Sequence, residues 1–170
     1  MAGSEVSRTA FNFEIAGMTE HDLLEVVEIE ELTHLSTWGW DAYHKELQSP
    51  EDVIMLVARA GADDRASNPR PLVAGFIVSR LMAGELHINN VAVRPEFRHR
   101  GIATVLVNSV LSAGRRQGAR VAFLEVREGN TGAQGLYSRC GFALNGRRKL
   151  YYRDPPEDAL LMVLALETSP

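Results

Sequence analysis

The spacing of hydrophobic positions changes period several times along the chain, and each change marks an element. Alternation in FNFEIA, from Phe11, predicts a first strand. Thr19-x-x-Asp22 has the form of a helix cap, and Leu23, Val26 and Val27 behind it fall on one face of an amphipathic helix. Glu20, Glu25, Glu28, Glu30 and Glu31 decorate the remainder, a charge run that reads as a solvated face or as a lure for a cationic substrate. WGWDAYHKEL predicts a second, short helix that stops before Ser49-Pro50.

The middle of the chain is β-rich. Runs from Val53 to Ala58 and from Pro71 to Met82 flank GADDRASNPR, whose Gly, Asp, Asn and Pro content marks the long tip of a hairpin. ELHINNVAV follows the turn at Ala83-Gly84 as a third antiparallel strand. Period then switches: Ile102, Val105, Leu106, Val110 and Ala113 fall three or four apart, so a helix starts at Ile102 and stops near Gly114 to Gly118. VAFLEV, Val121 to Val126, is a continuous apolar run and predicts a strand covered on both faces. A further helix from about Thr131 aligns Ala133, Leu136, Tyr137 and Cys140, with Gly141 placed for a left-handed C-terminal residue. A short strand from Phe142, the segment RRKLYY and a closing strand DALLMVLAL complete the order.

Antiparallel strands followed by strand–helix–strand–helix predict an α/β (α+β) domain without internal repeats. Its expected extent is 11–166, behind a loose leader over 1–10 and ahead of a tail over 167–170. A length of 170 residues, 45% hydrophobic and 24% charged, fits one compact core better than two small ones.

Charge and cysteine usage narrow the function. Eighteen Lys plus Arg against 22 Asp plus Glu give a net charge of -4, which argues against wholesale nucleic-acid binding, although Arg94 to Arg100, Arg115-Arg116 and Arg147 to Lys149 cluster locally. Cys140 is the only cysteine, and the five histidines lack metal-binding spacing, so neither a disulfide nor a structural metal is expected. The absence of a long apolar run and of a signal-like N-terminus makes the cytoplasm the expected location, with no membrane partner. No feature fixes an oligomeric state.

FRHRGIATVLV places Gly101 and the small Ala103 where a loop hands over to a helix N-terminus. The first N–H groups of a helix have no internal acceptors and lie at its positive end, so a phosphate can take several at once if no side chain blocks it. Arg98, His99 and Arg100 add positive charge that suits a pyrophosphate. Neither G-x-x-x-x-G-K-S/T nor G-x-G-x-x-G occurs, which disfavours a nucleoside triphosphate or a dinucleotide.

R-H-R-G-I-A resembles the Q/R-x-x-G-x-G/A signature of the GNAT superfamily of N-acetyltransferases. INNVAVRPEFRHRGIATVLVNSVL and ARVAFLEVREGNTGAQGLYSRCGFALNGRRKLYYRDPPEDALLMVLAL extend the likeness to the RimI branch, over about Phe11 to Leu166. The resemblance implies a mixed, mostly antiparallel sheet splayed between its fourth and fifth strands. It implies acetyl-CoA as donor, with its pyrophosphate held by Arg98, His99, Arg100, Gly101, Ile102, Ala103 and Thr104. Val91, Ala92 and Val93 would meet the pantetheine arm, and Asn130 would hydrogen-bond the same cofactor. Glu125, in L-E-V-R, would be the base and Tyr137, in the following helix, the acid. Trp38, Trp40, Tyr151 and Tyr152 would border the acceptor, with Trp40 and Tyr152 as substrate-binding candidates; the implied acceptor is the α-amine of a protein N-terminus.

The residues also allow plainer readings. Glu125 has Arg127 and Arg147 as possible ion-pair partners, Tyr137 lies on an apolar helix face, Asn130 suits a turn, Gly101 suits a turn beside solvated arginines, and Trp38, Trp40, Tyr151 and Tyr152 suit simple packing. Two differences from the RimI pattern, Ser-Thr-Trp-Gly-Trp in place of Pro-Trp-Ser before the second helix and the long loop over 61–70, bear on the acceptor more than on acetyl-CoA. Gly135 is a third difference, standing where a better helix former is usual. A small amine, an antibiotic or a lysine side chain is the alternative acceptor. A noncatalytic acyl-CoA-binding module and a nucleic-acid-binding protein are the alternatives from other classes. Cys140 reads as a packed thiol, since direct transfer to an amine needs no nucleophile.

Overall fold

The computed structural model describes residues 12–35, 38–61 and 71–166. The expected leader, the tail and most of the hairpin tip lie outside them. Seven strands form one sheet: β1 (Phe13–Gly17), β2 (Val53–Ala60), β3 (Val73–Met82), β4 (Glu85–Val93), β5 (Val121–Arg127), β6 (Ala143–Arg153) and β7 (Pro156–Ala165). Their spatial order is β1-β2-β3-β4-β5-β7-β6, and only the β4–β5 pair is parallel. Ala83 and Gly84 both have positive φ, 52° and 82°, the conformation a two-residue hairpin needs to match the twist of β3 and β4.

Four helices cover the sheet: α1 (Leu23–Leu32), α2 (Gly39–Leu47), α3 (Ile102–Arg116) and α4 (Thr131–Arg139). α3 carries five β-branched residues, each worth a few tenths of a kcal/mol less than alanine in a helix. Burial of Ile102, Leu106, Val107, Val110 and Leu111 outweighs that deficit, at ~1.5–3 kcal/mol per fully buried side chain. Packing against the sheet therefore fixes α3. A Cβ on Gly114 would stand 2.8 Å from Leu86 Cδ2, so glycine is what lets the end of α3 lie this close to β4.

Side chains alternate between two cores. Ile54, Ile77, Leu86, Ile88, Leu124 and Val126 pack with α3, whereas Met55, Phe76, Val78 and Ala92 pack with α1 and α2 through Leu23, Val26, Ile29 and Tyr43. β4 changes sides between Ile88 and Ala92 because Val78 pairs with Asn90 while Ser79 pairs with Ile88, leaving Asn89 as an extra residue. Such a bulge re-aims the side chains beyond it.

Three expectations need correction. β5 alternates buried and half-exposed residues, so only its α3 face is fully covered. The short strand from Phe142 is an 11-residue edge strand, β6, bound on one side to β7 and exposed along most of its length. The acidic run on α1 is not a solvated face throughout. Glu30 is 1% exposed, and its carboxylate accepts from Trp38 N–H at 2.7 Å, Gly39 N–H at 3.0 Å and the Tyr43 hydroxyl at 2.8 Å. Glu28 and Glu25 flank Arg94, 2.6 and 3.6 Å from Nη2, and the arginine is buried with Nε donating to Val73 O. Arg94 is thereby turned inward, away from any surface basic cluster.

Candidate active site

β4 and β5 pair only from Glu85–Val121 to Ile88–Leu124. Beyond Ile88 they part, at the position of the Asn89 bulge. Parting leaves the later residues of β4 bonded to β3 alone and opens a wedge in the middle of the sheet.

On one side of that wedge lies a cleft of about 730 Å³. Val91, Ala92, Val93, Arg98, His99, Gly101, Ile102, Ala103, Thr104, Asn130 and Tyr137 line it, so ten of the cofactor candidates and one catalytic candidate come together there. Arg100 is not in the lining: its guanidinium lies 5.5 Å from the centre of the Phe97 ring and donates to Glu96 O at 3.4 Å. Thr33, Leu35 and Arg139 join the wall without having been singled out in the sequence, and Leu136, read there only as part of an apolar helix face, joins it too. Leu35 and Thr33 follow α1, and no local motif marks them.

The floor of the cleft has an anion-binding character. Gly101, the N-cap of α3, has φ +80° and ψ 3°, and His99 has φ +60°. Left-handed residues at this spacing gather backbone N–H groups into a concavity that holds an anion. No side chain caps the N-terminus of α3, and the first helical bond runs from Val105 N–H to Gly101 O. The N–H groups ahead of it are therefore available to a diphosphate at the positive end of a 15-residue helix. A Cβ at Gly101 would meet nothing within 4 Å, so the residue leaves open space above the donors. These observations fit the diphosphate of acetyl-CoA. Asn130 caps α4, its Oδ1 accepting from Ala133 N–H at 3.0 Å, which leaves its amide NH2 to serve a ligand.

Tyr137 is buried on α4, edge-on to Phe142 with ring centres 6.1 Å apart. Loss of hydration pushes its phenol up to about 12, with Tyr152 and Cys140 adding to the shift. Cys140 itself is raised by burial, as suits a packed thiol.

Glu125 lies on the opposite face. Its neighbours Leu124 and Val126 pack toward α3, so Glu125 points to the α1–α2 side, where it lines a second pocket of about 260 Å³ with Trp38, His87, Ile88, Asn89, Asn90, Tyr151 and Tyr152. Its nearest cation is Arg148, Nη2 to Oε1 at 3.5 Å, not Arg127 or Arg147. Those two are engaged elsewhere, Arg127 with Glu157 and Arg147 with Glu128 and Asp158. Tyr152 lines the same pocket, under the Arg127 guanidinium at 4.1 Å from the ring centre.

Trp40 is the misplaced candidate. α2 begins at Gly39, so the two tryptophans diverge: Trp38 stacks on Tyr43 and reaches the pocket, while Trp40, 40% exposed, stacks on His44. Asn89, Asn90 and His87 were missed because their strand reads as an ordinary β-run; the doubled polar pair in HINNV was the available signal.

Residues 23–142 match the sequence model of the acetyltransferase (GNAT) family. A Bacillus subtilis protein provisionally named a ribosomal protein bS18-alanine N-acetyltransferase is 32% identical over 149 residues, 87% of this chain and 92% of its own. The N-alpha-acetyltransferase RimI of Mycobacterium tuberculosis is 31% identical over 153 residues, 87% of this chain and 89% of its own. The crystal structure of the ribosomal-protein-S18-alanine N-acetyltransferase from Escherichia coli superposes with a TM-score of 0.77 at 24% identity, covering 94% of this chain and 97% of that one. The parted strands, the uncapped helix and the match over most of the chain agree: this protein belongs to the GNAT acetyltransferase family and is an acetyl-CoA-dependent N-acetyltransferase.

Proposed function

We propose that the chain acetylates the α-amine of a protein N-terminus, with Glu125 as the proton acceptor in the small pocket and Tyr137 as the hydrogen-bond donor in the large cleft. One observation carries this reading: a single carboxylate faces a narrow aromatic pocket that opens on the same break in the sheet as the cofactor cleft. The relatives described above are named for N-acetylation of an alanine of ribosomal protein bS18 and for N-alpha-acetylation, which supports an α-amine as acceptor.

Acetyl-CoA supplies an acetyl thioester. The backbone N–H groups at Ile102 to Thr104, with Arg98 and His99, hold the diphosphate, and the unpaired side of β4 over Val91 to Val93 aligns the extended arm. Glu125 takes the proton that an ammonium must lose before it can attack, and the second N–H proton, released as the amide forms and the C–S bond breaks, is the one the departing thiolate takes up. Tyr137 keeps its proton throughout the neutral range. Full transfer from a phenol at about 12 to a thiolate whose acid is near ~8.5 runs uphill by ~5 kcal/mol, so Tyr137 steadies the leaving sulfur by donating a hydrogen bond.

Incubation with acetyl-CoA and a panel of free-amine peptides, lysine-containing peptides blocked at the N-terminus and small polyamines tests the acceptor. Modification of the free-amine peptides, located at the N-terminus by mass spectrometry, is the expected result; acetylation confined to small amines or lysine side chains overturns it.

The loop gives a second expected outcome. Gly101→Ala puts a Cβ residue at φ +80°, a strain of roughly 1–2 kcal/mol, and aims a methyl at the diphosphate site. Coenzyme A at ~100 times its Kd should stabilise the wild type by ~2.7 kcal/mol through mass action. The variant should lose most of that ligand-dependent rise in melting temperature at the same concentration. An unchanged rise would remove the diphosphate from this loop.

A further inference from the structure

The small pocket contains a second polar group besides Glu125, and its orientation is set from behind. Asn90 follows the Asn89 bulge, which directs it toward α1 and α2, and it is 5% exposed. Its Nδ2 lies 2.9 Å from the Tyr43 hydroxyl, which is itself 2.8 Å from Glu30 Oε1. Backbone N–H groups of Trp38 and Gly39 occupy both oxygens of Glu30 and can only donate.

Donor and acceptor roles follow without ambiguity from that end of the chain. A carboxylate accepts, so Tyr43 must give its single hydroxyl proton to Glu30. The Tyr43 oxygen is then left to accept, and only the NH2 of Asn90 can supply the hydrogen. Burial, together with the adjacent Glu30 carboxylate, raises the Tyr43 phenol well above the ordinary range, so it keeps the proton this order requires. An amide that is otherwise free to flip is thus locked one way round. Its carbonyl oxygen faces away from Tyr43. The Asn90 side chain makes its hydrogen bond to Tyr43 through Nδ2, and no buried side-chain oxygen among the described residues lacks a partner, so Oδ1 reaches solvent at the pocket that Asn90 lines.

We infer that Asn90 Oδ1 is a docking group for the acceptor amine, taking one N–H while Glu125 takes another, and that Glu30 and Tyr43 are positioning residues that hold the amide in the accepting orientation. In the neutral amine that attacks, two acceptors in one pocket select a nitrogen with two N–H bonds, which is a primary amine. The inference rests on the acetyl-transfer reading of this pocket but not on which primary amine is the natural acceptor.

The test uses whichever primary amine of the panel the wild type acetylates best, so the N-terminal reading stands or falls on the panel and this one on the variants. Asn90→Ala should lower kcat/KM for the acceptor roughly tenfold to a hundredfold while leaving the affinity for coenzyme A unchanged. Tyr43→Phe removes the lock without touching the pocket and should give a smaller loss of the same kind. The double variant should be no worse than Asn90→Ala alone, since both act through one oxygen. The wild type should also discriminate in kcat/KM against the N-methylated form of the acceptor, whose neutral, attacking form has a single N–H, and Asn90→Ala should lose most of that discrimination. Melting curves identify any variant that fails to fold, and Tyr43→Phe then carries the test. Acceptor kinetics within about twofold of wild type in folded Asn90→Ala or Tyr43→Phe protein, additive losses in the double variant, or unaltered discrimination against the N-methyl acceptor would overturn the inference.

Discussion

Glu125→Gln should lower kcat by roughly a hundred- to ten-thousandfold, the usual worth of a positioned general base. Glutamine keeps the size and the hydrogen-bonding shape of the side chain but cannot take a proton, so the affinity for acetyl-CoA, for which the larger cleft without Glu125 in its lining is proposed, should not change. The ion pair with Arg148 is lost as well. It is half exposed and 3.5 Å long, and pairs of that kind contribute ~1 kcal/mol or less, too little to confuse the result through unfolding. The size of the defect should depend on pH in a predictable direction. An α-amine loses its proton unaided near pH ~8, so raising the pH supplies free base to both enzymes and the gap between them should narrow. Rapid-quench single turnovers at several pH values measure this directly. A variant within about threefold of wild type at pH ~6.5, where the amine is mostly protonated, would take the role of base away from Glu125.

The second large effect is on stability. Glu30→Ala should cost about 3–5 kcal/mol, because three donors that converge on the carboxylate, the Tyr43 hydroxyl in the core and two part-buried backbone N–H groups, lose their acceptor. Each orphaned donor is worth ~1–3 kcal/mol, and relief of the buried charge returns part of the total. Two of those donors belong to the start of α2, so the carboxylate acts as a cap supplied by a different helix. For a chain of this length a loss of that size lowers the melting temperature by roughly 6–20 °C. Scanning calorimetry reads the shift. A fall of less than about 3 °C would mean that water replaces the carboxylate at little cost.

The helices and the order of strands were legible because their periods are long and clean. Ile102 to Ala113 repeats at three and four, and Gly141 ends α4 at φ +97°, as its position required. Glu30 was misread because its neighbours Glu25, Glu28 and Glu31 made a run of acids look like a wet surface. Yet Leu23, Val26 and Glu30 are spaced three and four apart, so the pattern that predicted a buried stripe also contained the buried acid. What distinguishes Glu30 is its partners, and those lie beyond the helix, at Trp38, Gly39 and Tyr43. The same limit applies to the tryptophans: their pattern cannot say that a helix begins between Trp38 and Trp40 and so sends the rings in different directions. β6 was cut short for another reason. NGRRKLYYR has no two-residue alternation because neither face of this edge strand meets a core. Gly101 and Glu125 stood out since each belongs to a local motif, whereas the pocket around Glu125 is assembled from α2, β4, β5 and β6 and has no signature in any one of them.

The placement of Glu125 and Tyr137 on opposite faces of the sheet has a kinetic consequence. On the proposed assignment of the two pockets, each reactant has its own mouth and need not wait for the other to leave, so both would occupy the protein when the bond between them forms. Double-reciprocal plots at several fixed concentrations of one should therefore intersect, and no acetylated enzyme should accumulate when the amine is withheld.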